Sequence, residues 1–195
     1  MWPRLKAELD AAGVALGAPL LVLLTHTHFD HAGNAARLKR EYGARVAVHR
    51  SEADFLRAGD SPLADGTLPP TRLVIRLARR WALPRLRFPP VEPDLLVDDG
   101  LEIGEGGLEA RALHTPGHSR GSTSLIVDGE IALVGDAMFG MVPGAVFPPF
   151  AETPERLVAS WERLLGTGCE VFLPAHGGAR ERAVVQRCYE ARRKL

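Results

Sequence analysis

The feature that most constrains the fold is an apolar run that ends in a cluster of polar side chains. Leu20–Leu24 is continuously apolar, as in a buried strand, and the next residues read Thr-His-Thr-His-Phe-Asp-His. Because residues two apart on an extended chain face the same way, His26 and His28 should project together from the end of this strand. Asp30 and His31 follow where the chain turns. Imidazole and carboxylate groups in this arrangement suit zinc, iron or manganese.

Three more candidate ligands lie downstream, each just beyond a predicted strand. His118 follows a Pro-Gly turn, Asp136 follows Val-Gly, and His176 follows Pro-Ala. The ends of strands are where α/β proteins hold their sites. The other two histidines, His49 and His114, are interpreted as ordinary surface or core residues. Burying the remaining histidines and the two aspartates without cations would be costly, so the pattern predicts a metal centre.

Short strands alternate with helices along the chain, which predicts an α/β sandwich rather than a helical bundle. The predicted helices are Pro3–Ala12, Asn34–Tyr42, Ser51–Arg57, Pro154–Leu165 and Ala179–Arg193. The predicted strands are Leu20–Leu24, Arg45–Val48, Leu96–Ile103, Leu108–His114, Thr123–Val127, Ile131–Val134 and Glu170–Leu173. All of them are assigned to one domain, residues 1–195.

Residues 60–93 are rich in proline and are predicted to be an insertion with one amphipathic helix between Pro70 and Pro84. One side of its helical wheel is apolar and carries Leu73, Val74, Leu77, Ala78 and Trp81. The other side carries Arg72, Arg76, Arg79 and Arg80. In one interpretation the apolar side packs on its own domain. In the other, the helix is a lid over the metal site, with arginines available to an acidic substrate.

Composition excludes several functional classes. Acidic and basic residues balance at 24 each, so nothing global argues for a nucleic-acid partner. The longest apolar stretch, Ala18–Leu24, is far shorter than the ~20 residues that a membrane helix needs. The start of the chain lacks the apolar core of a signal peptide. Two cysteines, Cys169 and Cys188, cannot form a disulfide framework. We therefore expect a cytoplasmic protein without a nucleic-acid or membrane partner.

The ordered motifs resemble those of the metallo-β-lactamase superfamily. The resemblance rests on the His-Thr-His-Phe-Asp-His motif from His26, the Thr-Pro-Gly-His turn at His118, Val-Gly before Asp136, and Pro-Ala-His-Gly at His176. It extends from about Trp2 to about Ala179. It implies an αββα sandwich, the fold of that superfamily.

The resemblance also implies two divalent cations and divides the ligands between them. Zinc is expected, with iron or manganese as the alternatives. The first cation would be held by His26, His28 and His118, the second by Asp30, His31 and His176, and Asp136 would bridge them. A hydroxide shared by the two cations would attack the substrate, and Asp30 would act as a catalytic residue that orients the water or accepts its proton.

The motif around His31 is similar to those of glyoxalase II-type thioesterases and lactonases. Hydrolysis of a small-molecule thioester, ester or lactone is therefore expected. Class B1 β-lactamases carry Arg in place of His31 and Cys in place of Asp136, so the chain departs from them. A persulfide dioxygenase-like iron enzyme, a phosphodiesterase and a non-catalytic metal-binding scaffold remain as alternatives.

The start of the chain departs from the family pattern. Family members usually begin with several antiparallel strands, whereas the first predicted helix here begins almost at Met1. We therefore expect the N-terminal part of one sheet to be shortened. An unpaired sheet edge invites pairing with another chain, which predicts a homodimer that buries this side.

Overall fold

The computed structural model of the protein describes residues 2–81, 86–103 and 108–194. The α-helices in these ranges are α1 (Trp2–Ala11), α2 (Phe29–Ala32), α3 (Ala35–Tyr42), α4 (Ala53–Ala58), α5 (Pro69–Trp81), α6 (Pro154–Leu165) and α7 (Arg182–Arg192). A short 3₁₀ helix, Arg50–Glu52, precedes α4. The strands are β1 (Leu21–Leu24), β2 (Arg45–His49), β3 (Leu95–Val97), β4 (Ala110–His114), β5 (Thr123–Val127), β6 (Ile131–Gly135), β7 (Val171–Pro174) and β8 (Arg180–Glu181).

The strands form two sheets with different pairing. The first sheet has the order β1-β2-β3, and both of its pairings are parallel. The second has the order β4-β5-β6-β7-β8, with a parallel β6–β7 pair among antiparallel neighbours. Because β6 and β7 run the same way, the loops that follow them leave the sheet at the same edge.

The two sheets face each other, and helices cover their outer faces. On β2, Val46 and Val48 belong to the core under the helices α3 and α4, whereas Ala47 meets Val97 and Ala112 between the sheets. On the second sheet, Phe172 packs in the core that α6 and α7 cover. These layers confirm the predicted αββα sandwich, with a first sheet of three strands within the described residues.

Most predicted elements are present, and the differences arise from tertiary contacts. The predicted helix Ala179–Arg193 instead begins with β8, because Arg180 pairs with Phe172 across the sheet and its guanidinium donates to loop carbonyls, including that of Val142. Only the first part of the predicted strand Leu96–Ile103 enters the sheet, and Glu102 makes an isolated bridge to the second sheet.

Helix α5 is present as predicted, but its apolar side faces outward. Leu73 and Leu77 are 55% and 52% exposed, whereas Ile75 is only 7% exposed. The interpretation that packs these two leucines on their own domain is therefore wrong. The arginine side anchors the helix instead, because Arg72 and Arg79 donate to the carbonyls of an adjacent loop, Gly66 and Leu63. The side chain of Trp81 and the whole of Pro84 lie outside the described residues.

The sequence also led to expectations about membranes and about a second copy of the chain. Of the helices that the structure describes, none is both long and apolar enough to cross a bilayer. Strand β1 lies at an edge of the first sheet, since β2 is its only partner among the described residues. The homodimer, the single domain of residues 1–195 and the cytoplasmic location stay predictions.

Candidate metal centre

The first four candidate ligands lie on one short turn after β1. His26 and His28 follow the strand directly, and Asp30 and His31 lie on α2. His28 occupies the N-cap position of α2, and its carbonyl accepts hydrogen bonds from the backbone N–H groups of His31 (3.0 Å) and Ala32 (2.8 Å). The change from strand to helix at this residue turns all four side chains toward one place.

The other three ligands come from loops of the second sheet. His118 lies in the loop between β4 and β5, Asp136 follows β6, and His176 follows β7. The parallel pairing of Gly135 with Pro174 places Asp136 and His176 beside each other at one sheet edge. The candidate residues from both halves of the sequence therefore meet where the two sheets come together.

A glycine fixes the loop that carries His118. Gly117 has φ +136°, and a Cβ there would lie 2.3 Å from the backbone nitrogen of Leu157 on α6. Only glycine allows this conformation and this approach. The Pro-Gly turn is therefore a packing requirement that sets the position of His118.

The seven predicted ligands form one group of side chains, here called the seven-residue cluster. Its first part contains three histidines whose ring nitrogens converge. His26 Nε2 and His118 Nε2 each lie 3.0 Å from His28 Nδ1. Asp136 Oδ2 lies 3.5 Å from His118 Nε2.

The second part of the cluster lies on the other side of Asp136. Asp136 Oδ1 is 3.5 Å from His31 Nε2 and 3.6 Å from His176 Nε2. Asp30 Oδ2 is 3.3 Å from His176 Nε2 and 3.7 Å from His31 Nε2. Asp136 therefore places one oxygen near each part, and its role as a bridging ligand stays a prediction.

Hydrogen bonds behind the cluster orient two of its rings. His118 Nδ1 lies 2.9 Å from the carbonyl oxygen of Phe150. Because a carbonyl only accepts, Nδ1 carries the proton, and the lone pair of Nε2 points into the cluster. Thr25 Oγ1 lies 3.2 Å from His26 Nδ1 and helps to orient that ring; since a hydroxyl can donate or accept, this contact does not set the position of the proton.

Burial shifts the protonation of the cluster toward neutral groups. Burial lowers the pKa of His26, His28, His31 and His118, to about 4 for His31 and about 3 for His118. Burial, and then the neighbouring Asp30 carboxylate, raise the pKa of Asp136 to about 7. Neutral imidazoles are the form that binds metals, and a nearby cation would restore the ionised form of Asp136.

Unpaired buried atoms test whether cations fit here. His31 Nε2 and Asp136 Oδ1 are buried, face each other, and make no hydrogen bond within the described residues. Ligands bound at about 2.0–2.2 Å to one tetrahedral cation lie roughly 3–3.6 Å apart. The spacings within the cluster are in or near this range, so the donor set fits a pair of divalent cations. The ligand roles themselves stay predictions.

A cavity of about 280 Å³ opens over the cluster, and sequence reasoning missed most of its walls. Its base contains His28, Asp30, His118, Asp136 and His176. Its apolar walls are Phe29, Leu63, Ala64, Ile75, Phe139 and Phe150. Ile75 belongs to α5, so this helix lies at the cavity, as the lid interpretation requires. No periodic pattern identifies the three phenylalanines, because Phe29 begins α2 and the other two lie in the segment between β6 and α6.

The remaining histidines and one acidic residue complete the description. His49 and His114 stack on each other, with ring centroids 4.0 Å apart, and neither joins the groups of candidate ligands. Glu52 is fully buried and touches the loops of the cluster, although its sequence position suggested only an acidic first turn of a helix.

Comparison with known proteins agrees with this geometry. The family model described as the metallo-beta-lactamase superfamily matches residues 1–176. The human acyl-coenzyme A thioesterase MBLAC2 is 33% identical over 178 residues, which cover 88% of this chain and 61% of the relative. A hydroxyacylglutathione hydrolase of Rhodopseudomonas palustris is 30% identical over 128 residues, which cover 65% of this chain and 36% of that enzyme.

A solved structure with bound metal is also similar. TTHA1623 in a di-iron-bound form has a TM-score of 0.67 and 28% identity, and the match covers 96% of this chain and 83% of that one. The chain spans about three fifths of the length of the curated relatives that it matches over most of its own length. The ordered motifs, the sandwich and these matches lead to one conclusion: the chain belongs to the metallo-beta-lactamase superfamily.

Proposed function

We propose that the chain is a metal-dependent hydrolase of acyl thioesters with an apolar acyl group. The observation that carries the proposal is the cavity, which joins the seven-residue cluster to walls formed by Phe29, Ile75, Phe139 and Phe150. An apolar wall favours a hydrocarbon group next to the reacting carbonyl. The similarity to proteins named acyl-coenzyme A thioesterases supports the same substrate class.

The cluster would supply the ligands for the reaction. His26, His28 and His118 would hold one divalent cation, Asp30, His31 and His176 a second, and Asp136 would bridge them. Cations held by these residues would polarise the scissile carbonyl and lower the pKa of a bound water. Zinc suits this donor set, and iron is the alternative that the di-iron structure of a similar protein favours.

The protein groups divide the remaining tasks. Asp30 lines the cavity, so its carboxylate would accept a proton from the attacking water and pass it on to the leaving sulfur. The C–S bond breaks as the new C–O bond is completed, which yields a carboxylic acid and a thiol. The phenylalanine walls exclude bulk water from the acyl group.

The size of the cavity limits what it encloses. At about 280 Å³ it lies just below the range of typical small-molecule sites, about 300–1,000 Å³. The reacting carbonyl and a short part of the acyl chain would be enclosed, whereas the thiol-bearing part would extend over the surface beside α5. A second cleft lies beside α5, and it is lined by Arg72, Arg76 and Arg79, together with Asp65 and Glu152.

Metal loading and a substrate panel test the proposal. Protein loaded with Zn²⁺ or Fe²⁺ should release free thiol from acyl-coenzyme A substrates, and a chelator should stop the release. The same preparation is tested on a lactone, a phosphodiester and glutathione persulfide. Turnover of the phosphodiester or the persulfide alone would contradict thioester hydrolysis. Bound metal without turnover of any substrate would favour a scaffold.

A further inference from the structure

Glu52 is a fully buried carboxylate that belongs to no predicted ligand set. It lies at the end of the 3₁₀ helix that follows β2. Its recorded partners within the described residues are backbone and hydroxyl donors rather than cationic side chains. Burying a carboxylate that only neutral groups contact is costly, so another interaction must offset that cost.

The two carboxylate oxygens of Glu52 reach two different loops. Oε2 accepts a hydrogen bond from the backbone N–H of Thr27 (3.1 Å) and another from the Thr27 hydroxyl. Oε1 accepts a hydrogen bond from the backbone N–H of Gly121 (3.0 Å). Thr27 stands between His26 and His28, and Gly121 follows His118 by three residues.

The loop around Gly121 is shaped to receive this carboxylate. A Cβ at Gly121 would lie 2.3 Å from Glu52 Cγ, so any side chain there would push the two segments apart. The backbone N–H of Thr123 also donates to the carbonyl of Thr25 (2.9 Å), which joins the same two loops one step further along. Glu52 and this backbone bond therefore connect the end of β1 to the loop between β4 and β5.

We infer that Glu52 is a positioning residue that holds the two ligand-bearing loops together and so sets the metal affinity of the seven-residue cluster. The inference rests on the proposed metal centre. The three histidines of the first part come from these two loops, and Glu52 is bonded to both. Its buried negative charge also favours a cation nearby, which would offset the cost of burying it.

Substitution of Glu52 by glutamine keeps the shape of the side chain but replaces one hydrogen-bond acceptor with a donor. The glutamine NH₂ group must face the backbone N–H of Thr27 or of Gly121, both of which are donors, so one of these two N–H groups loses its acceptor. Outer-shell changes of this kind typically weaken metal binding by about 10–100-fold. We expect Glu52→Gln to show such a loss for Zn²⁺, measured by competition with a chromophoric chelator.

A pair of variants at Thr27 separates this role from general packing. Thr27→Val keeps the volume and removes the hydroxyl donor, whereas Thr27→Ser keeps the donor. Weaker Zn²⁺ binding in Thr27→Val, with wild-type affinity in Thr27→Ser, would support the inference. The visible absorption of bound Co²⁺ gives a second readout, because it responds to the geometry of the ligands.

Asp94→Asn is the matched control. Asp94 Oδ2 also accepts from a backbone N–H of the first sheet, that of Val46 (2.8 Å), and from Lys39 Nζ (2.7 Å), and Asp94 belongs to no group of candidate ligands. This variant should bind Zn²⁺ as the wild type does, within about twofold.

The outcomes separate the inference from the proposed function. Folded Glu52→Gln and Thr27→Val proteins with wild-type Zn²⁺ affinity would overturn the role of Glu52 and leave the proposed function standing. If Glu52→Gln does not unfold cooperatively, the Thr27 pair decides, and wild-type affinity in Thr27→Val overturns the inference. A wild-type protein that binds none of Zn²⁺, Fe²⁺ and Co²⁺ would overturn both.

Discussion

The seven-residue cluster and helix α5 meet at one cavity but follow opposite rules of burial. The cluster buries imidazole and carboxylate groups, and three of its atoms, His28 Nε2, His31 Nε2 and Asp136 Oδ1, have no hydrogen-bond partner within the described residues. Helix α5 buries Ile75 and exposes Leu73 and Leu77. Each region departs from the usual arrangement of polar groups outside and apolar groups inside.

The two regions differ in whether their unusual burial has a chemical explanation. In the cluster, the unpaired atoms His31 Nε2 and Asp136 Oδ1 have a chemical explanation, since they face each other where a cation would use them as ligand atoms. In α5, the exposed leucines have no contact that explains them within the described residues, and the helix is held by its arginine side. The two regions should therefore respond differently to substitution.

Loss of a cluster ligand should have the largest effect on activity. Asp136→Ala removes an oxygen from each part of the cluster, and His118→Ala removes a ring nitrogen from the first part. We expect thioester hydrolysis to fall by more than about 100-fold, the upper end of the loss for an outer-shell change. Initial rates are measured together with the metal content. Leu77→Ala is the control, and wild-type turnover in either ligand variant would place the chemistry elsewhere.

Removal of metal should destabilise the cluster and leave α5 unchanged. The metal-free state is prepared with a chelator, which is then removed. Free Zn²⁺ at about 100 times its dissociation constant should then raise the free energy of unfolding by about 2.7 kcal/mol. Hydrogen exchange should slow in residues 26–31 and 115–122, because these segments carry five of the seven predicted ligands, and should stay the same in residues 69–81. An unchanged melting temperature on adding metal would contradict the predicted ligand roles.

The site was more predictable from the sequence than the environment around it. The ligand motifs are local, and each follows a strand, so the geometry of strand ends was enough to bring His26, His28 and Asp136 together. Glu52 could not be identified in this way. Its partners, Thr27 and Gly121, lie 25 and 69 residues away, and a single acidic residue in a first helical turn has a simpler explanation.

The orientation of α5 was not predictable for a related reason. A helical wheel shows that one side is apolar, but it does not show which side meets the protein. Here Ile75, at the boundary of the wheel, faces inward, because the arginine bonds to Gly66 and Leu63 fix the rotation of the helix. Polar contacts with the loop that precedes α5 decided between two orientations that the sequence pattern left open.

A pair of alanine substitutions in α5 compares its buried side with its exposed side. Ile75→Ala removes a buried side chain from the cavity wall and should lower the free energy of unfolding by about 2 kcal/mol or more. Leu77→Ala, two residues away and exposed, should change it by no more than about 0.5 kcal/mol. Urea denaturation measures both. Ile75→Ala should also raise KM for acyl thioesters more than it lowers kcat, and equal effects of the two variants would contradict the observed orientation.

The smallest effect is expected on the exposed side of α5. Leucine and glutamine have similar helix propensities, so Leu73→Gln with Leu77→Gln tests packing alone. Because both side chains are about half exposed, the double variant should keep its kcat, its KM and its stability to within about 0.5 kcal/mol. A loss of about 2 kcal/mol would mean that the face is covered in solution. Urea denaturation at two protein concentrations then shows whether a second copy of the chain covers this face. If the denaturation midpoint rises with protein concentration in the wild type but not in the double variant, the predicted homodimer contact lies on α5 rather than at the edge of β1.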